Sequence, residues 1–161
     1  MRFPNWVSAW FPVALWLVLI GIESTATMGA GHTREWLLAA IHFLHVPVLG
    51  RHIDALNFIL RKCGHFVGYG VLGVLFARAF LMISGRSLAG RPLMSRAVAF
   101  ALLTTALVAS ADEIHQRYLP GRGPAVHDVL LDCTGAAILI FVFSRKLREV
   151  GLQHNSFSRI A

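Results

Sequence analysis

GHFVGYGVLGVLFARAFLMI, residues 64–83, is the stretch whose reading decides the fold. A helix that crosses a bilayer needs about 20 predominantly apolar residues, within a range of about 17–25. This run meets that requirement, and its only formal charge is Arg78. Three more apolar runs flank it: Trp6 to Ile22, Ala97 to Ala111 and Ala125 to Ser144. The run at Ala97 reaches span length only if its polar flanks are also helical. Of the 161 residues, 56% are hydrophobic and 14% charged, whereas soluble domains carry about 25% charged residues. So little polar surface cannot clothe a water-soluble domain, and lipid is the remaining solvent. The expected fold class is all-α: one integral membrane helical bundle over residues 1–161, with four transmembrane helices.

Working outward, the run at Trp6 is long for the apolar core of a signal peptide, and no A-x-A cleavage pattern follows it. It reads as a true span ending near Glu23-Ser24-Thr25. Between the first and second spans, Trp36 to Leu49 is apolar but broken by Pro47 and Gly50. It is too short to cross and fits an interfacial or re-entrant segment. His52 to Leu60 places Ile53, Leu56, Ile59 and Leu60 at helical spacing and runs straight into the second span. Residues after Glu149 read as a frayed tail.

The net charge of +7 is spread over the loops without a basic stripe of interleaved aromatics, which argues against nucleic acid as a partner. Ser84 to Arg96 holds three arginines and no acid, and Arg145, Lys146 and Arg148 follow the last span. Four spans put both regions on one side, and the positive-inside rule makes that side cytoplasmic. Both termini are then inside. Cys63 and Cys133 form no CxxC pair and no disulfide framework.

Half of the acidic residues lie between positions 112 and 132: Asp112, Glu113, Asp128 and Asp132. Asp132 stands on the order of 10 Å along the fourth span from the Pro120–Pro124 turn, at about 1.5 Å per residue. Asp128, Asp132 and Gly135 share one helix face, as do Asp112 and Gln116. Lys62, His65 and Tyr69 line one face of the second span. Gly64 and Gly68 form a small-xxx-small pair that suits close approach of a neighbouring helix. The topology brings the start of the second span, the end of the third and the start of the fourth to one membrane face. Lys62, His65, Asp112, Glu113, Arg122, Asp128 and Asp132 can converge there.

A buried ionisable residue costs roughly 2.5–3.5 kcal/mol at the centre of a span, so a group of them implies pairing, hydration or a ligand. One reading is a structural brace of ion pairs. The other is a polar pocket for a ligand with phosphate or a similar group, with Arg122 and Lys62 holding the anion. His65, Glu113, His115, Asp128 and Asp132 are metal-ligand types, but their spacing matches no metal motif. No metal and no cofactor is expected. His42 and His45 read as interfacial, His32, His52 and His154 as solvated, and Trp6, Trp10 and Trp36 as interface anchors.

These residues carry a resemblance. Lys62-Cys63-Gly64-His65-Phe66-Val67-Gly68-Tyr69-Gly70-Val71-Leu72-Gly73 is similar to the K-x-x-H-F-x-x-Y-x-x-L-G block of the VanZ-like family of small bacterial membrane proteins. Asp112-Glu113-Ile114-His115-Gln116, then Gly121-Arg122, Asp128-Val129 and Gly135 are similar to its D-E-x-x-Q, G-R, D-V and G pattern. The resemblance covers about residues 62–135. It implies a multi-pass protein of the bacterial inner membrane and an association, for the founding member, with resistance to the glycopeptide teicoplanin. Two positions depart: Arg61 stands where members often have Asp, and Asp132 where they usually have Asn. The expected function is recognition or handling of a cell-envelope component, a lipid-linked anionic group, at an extracytoplasmic site. The expected partners are membrane lipids. An intramembrane lipid phosphatase or hydrolase and a small proton-coupled transporter are the alternatives; no catalytic residue is singled out.

Overall fold

A computed structural model describes residues 5–25, 30–84, 91–118 and 126–157. Six helices follow in order: α1 (Asn5–Glu23), α2 (Ala30–Phe43), α3 (Pro47–Gly50), α4 (Ile53–Ile83), α5 (Arg91–Gln116) and α6 (Val126–Phe157). No strand occurs among the described residues. Four helices, α1, α4, α5 and α6, are long and apolar enough to cross a membrane. The polar flanks of Ala97–Ala111 are helical, which brings α5 to span length. α6 continues beyond Glu149 to Phe157, because no proline interrupts it.

α4 is the hub and packs against α1, α2, α5 and α6. Its 31 residues extend about 46 Å at about 1.5 Å per residue, more than a hydrocarbon core of about 30 Å. Its charge-poor stretch, from Gly64 to Ile83, suffices to cross. The turns from Ile53 to Cys63 therefore project toward one membrane surface and carry Arg61 and Lys62 there.

Lipid tails offer no hydrophobic drive between helices, so close packing has to hold the bundle. α5 supplies a row at four-residue spacing, Ala97, Ala101, Thr105, Ala109 and Glu113, all buried. On the outer face of the same helix Leu103 and Leu107 are exposed to lipid. Tyr69, Leu72 and Phe76 of α4 meet Ala136 and Ile140 of α6 and Ala9 and Val13 of α1 in the main core. Edge-on contacts among Trp10, Phe76 and Phe100, with centroids 6.2–6.4 Å apart, fill the half of the bundle distant from the polar cluster.

Among the described glycines, the tight helix contact is not at Gly64 and Gly68, where a Cβ would meet nothing within 4 Å. It is at Gly135, where a Cβ would stand 2.1 Å from Phe66 O. The α4 and α6 backbones touch there, and only a residue without a side chain fits. A second backbone device joins α1 to α4. Pro12 lies inside α1, and its missing N–H leaves the carbonyl four residues earlier without a helical donor. That carbonyl is Ser8 O, and Arg78 Nη1 donates to it at 3.4 Å.

The segment between the first two spans is two helices rather than one. α2 ends at Phe43, and His45 takes a left-handed φ of 53°. Pro47 then opens the single turn of α3. α2 lies against α4, fastened by Arg34 Nε donating to Asp54 Oδ1 at 2.8 Å.

Candidate functional site

The backbone contact at Gly135 and Phe66 sets the register of α6 against α4, and the polar cluster follows from it. Asp132, one turn before Gly135, comes level with His65, one residue before Phe66. His65 Nδ1 lies 3.5 Å from Asp132 Oδ1. Both atoms are buried without a hydrogen-bond partner. The Asp132 side chain is 2% exposed. One turn nearer the surface, Lys62 Nζ donates to Asp128 Oδ1. His127 Nε2 approaches Asp128 Oδ1 at 3.7 Å from the exposed side.

One turn deeper, Tyr69 is almost wholly buried and its ring stacks on that of His65. Tyr69 Oη donates to Asp112 Oδ2 at 2.9 Å. Gln116 Nε2 donates to the same oxygen at 2.9 Å, from one turn along α5. Ser24 Oγ donates to Asp112 Oδ1. The Asp112 carboxylate is thus held by three neutral donors from α4, α5 and the end of α1. Hydrogen bonds to a charged acceptor are the stronger kind, so they fix its position. Glu113 is buried in the same turn of α5.

The structure therefore gathers Lys62, His65, Tyr69, Asp112, Gln116, Asp128 and Asp132 at one end of the bundle. Arg122 lies outside the described residues. His115 and Cys63 are exposed, and Cys133 is half-buried. No group of three or more His, Cys, Asp or Glu residues is arranged to hold a metal ion among the described residues.

Two cavities open at the cluster. The inner one, of about 20 Å³, is lined by residues that include Glu23, Ser24, His65, Tyr69, Asp112 and Gln116. A water needs roughly 10–15 Å³ and two to four polar partners, so this cavity is of a size and polarity for one water. The outer one, of about 270 Å³, is lined by Glu23, Thr33, Trp36, Leu60, Arg61, Gly64 and His65. Glu23, Gly64 and His65 belong to both walls. The open space over Gly64 and Gly68 is part of this site, in place of the close helix contact expected there.

Ser24, Glu23, Arg61 and Trp36 are the site residues that sequence reasoning missed. The available signal was position: Glu23-Ser24 ends an apolar run on the same side as the start of α4. Arg61 precedes the motif block by one residue.

Four apolar helices with a carboxylate-rich cluster at one end of the bundle define a multi-pass α-helical membrane protein. More particularly, the chain belongs to the VanZ/LLP1 family, whose model matches residues 9–147. That interval contains every residue of the cluster. Searches of curated proteins and of solved structures gave no match.

Proposed function

We propose that the protein recognises and handles a cell-envelope component, a lipid-linked anionic group, at the extracytoplasmic face of a bacterial cytoplasmic membrane. Both termini are then cytoplasmic. The observation that carries the reading is the outer cavity of about 270 Å³. Its lining is amphiphilic: Trp36 and Leu60 offer an apolar surface, and Arg61 offers a guanidinium. Such a wall suits a lipid whose acyl or prenyl portion meets the aromatic ring while its anionic head meets the cation. The cavity lies beside the turns of α4 that project to the membrane surface, where lipid headgroups reside. The teicoplanin association implied by the resemblance concerns the same compartment.

The test is mass spectrometry of lipids that co-purify with the protein in mild detergent. An anionic lipid should be enriched over its share of the host membrane. Arg61→Gln should remove the enrichment, and Trp36→Ala should weaken it, with thermal stability preserved in both. Co-purified lipid that mirrors the bulk membrane, in the native chain and both variants alike, rules the reading out.

A further inference from the structure

His65 is the one titratable ring shared by the two cavities. Its Nδ1 is buried against Asp132 Oδ1 at 3.5 Å, yet its side chain is 26% exposed. The ring's remaining polar atom is Nε2. An imidazole whose Nδ1 faces a buried carboxylate favours the tautomer that leaves Nε2 a base. The contact is long for a hydrogen bond, as catalytic contacts often are before substrate binds. Tyr69 stacks on the ring at 6.1 Å between centroids and 18° between planes. The Tyr69 hydroxyl is itself tied to Asp112, so the imidazole is flanked by Asp132 on one side and an anchored ring on the other.

We propose that His65 is a general base for a water held in the inner cavity, that Asp132 positions its ring, and that the reaction is hydrolysis of a terminal phosphate ester on a lipid in the outer cavity. This rests on the lipid-binding reading above. As Nε2 takes a proton from the water, the water oxygen forms a bond to phosphorus. The bond from phosphorus to the lipid oxygen breaks, and its electron pair stays on that oxygen. The leaving lipid oxygen, on the opposite side of phosphorus, takes a proton from solvent water, and Nε2 returns its proton to solvent. Lipid alcohol and inorganic phosphate leave, and no reactant besides water is consumed. Arg61 on the outer wall opposes the charge on the phosphoryl oxygens. The neighbouring carboxylates are engaged: Asp112 by three donors and Asp128 by Lys62. Glu23 is within electrostatic reach of Arg61.

The experiment uses the full chain in mixed micelles, with phosphatidic acid and, separately, a polyprenyl phosphate as probes. Phosphate release is measured in ¹⁸O-water alongside the lipid bound per protein. The expected result is release of phosphate that carries ¹⁸O. His65→Gln should lower kcat by about 10²–10⁴-fold, the usual range for general acid–base catalysis, with lipid binding retained. Asp132→Asn should lower kcat more than it changes KM and should move the acid limb of the pH profile. If His65→Gln does not fold, the native pH profile decides. An acid limb that moves in Asp132→Asn supports the proposal, and a flat profile overturns it. Binding of both probes without phosphate release overturns hydrolysis and leaves recognition standing. Failure to bind either probe overturns both. Undiminished release from folded His65→Gln removes the histidine from the chemistry.

Discussion

At Asp112 three neutral donors do the work that a counter-ion would do elsewhere. Each is a bond to a charged acceptor, worth about 1.5–3 kcal/mol when formed within a protein. Tyr69→Phe removes one donor and keeps the ring on His65. It should lower stability by about 1.5–3 kcal/mol, measured by denaturant titration in detergent. Tyr118→Phe is the control, since Tyr118 is 80% exposed. A loss at Tyr69 no greater than the control's would show that the Asp112 bond contributes nothing net. The Tyr69 and Ser24 bonds to Asp112 differ in how legible they are. Tyr69 stands at helical spacing from Lys62 and His65, so its face could be read from the chain. The Ser24 bond could not. A hydroxyl at the end of an apolar run is ordinary, and its partner is 88 positions away. Local spacing carries no information about such a pair.

For whole helices, the length of the apolar runs placed the spans, and the physics of lipid explains why. A spanning helix must satisfy its backbone internally, so its length and composition announce it. Which glycine meets a neighbour is another matter. Gly64 and Gly68 have the spacing of a contact pair, yet the bundle leaves space beside them. Gly135 shares the face of Asp128 and Asp132 and has no partner glycine at that spacing, yet it takes the contact. The distinction depends on the rotation of each helix about its axis, which α4 settles by packing against four partners at once. Gly135→Ala should therefore force α4 and α6 apart, because a Cβ at 2.1 Å from Phe66 O cannot be accommodated by a side-chain shift. Overpacking of this kind costs about 1–3 kcal/mol, and backbone on backbone belongs at the upper end. Gly64→Ala and Gly68→Ala should be near neutral in the same melting experiment, or slightly stabilising, since Ala exceeds Gly in helix propensity. Equal melting temperatures for all three variants would contradict the Phe66–Gly135 contact.

Across the whole molecule, charge is divided between the two ends far more sharply than the +7 total conveys. Seven of the eight acidic residues belong to the end that carries the polar cluster; Glu149 is the exception. The basic residues divide more evenly, with eight at the end that holds the termini, six at the cluster end and Arg78 inside α4. Topogenic weight rests on Lys and Arg in short loops, and acids count little. The bias is therefore modest in number but clear in context. At the cluster end Arg34 pairs with Asp54 and Lys62 with Asp128, while Arg86, Arg91 and Arg96 share their segment with no acid. A basic loop without acids resists translocation, so the termini should remain cytoplasmic and the cluster should face out. The measurement is cysteine labelling in spheroplasts, in a chain carrying Cys63→Ser and Cys133→Ser. His127→Cys reports the cluster end, since His127 has an 80% exposed side chain. Gly90→Cys reports the opposite loop. An impermeant maleimide should label the first in intact spheroplasts and the second only after the membrane is opened. The reverse pattern would put the carboxylates in the cytoplasm. An envelope ligand presented from outside would then be out of reach, and the headgroup bound by Arg61 would have to come from the inner leaflet.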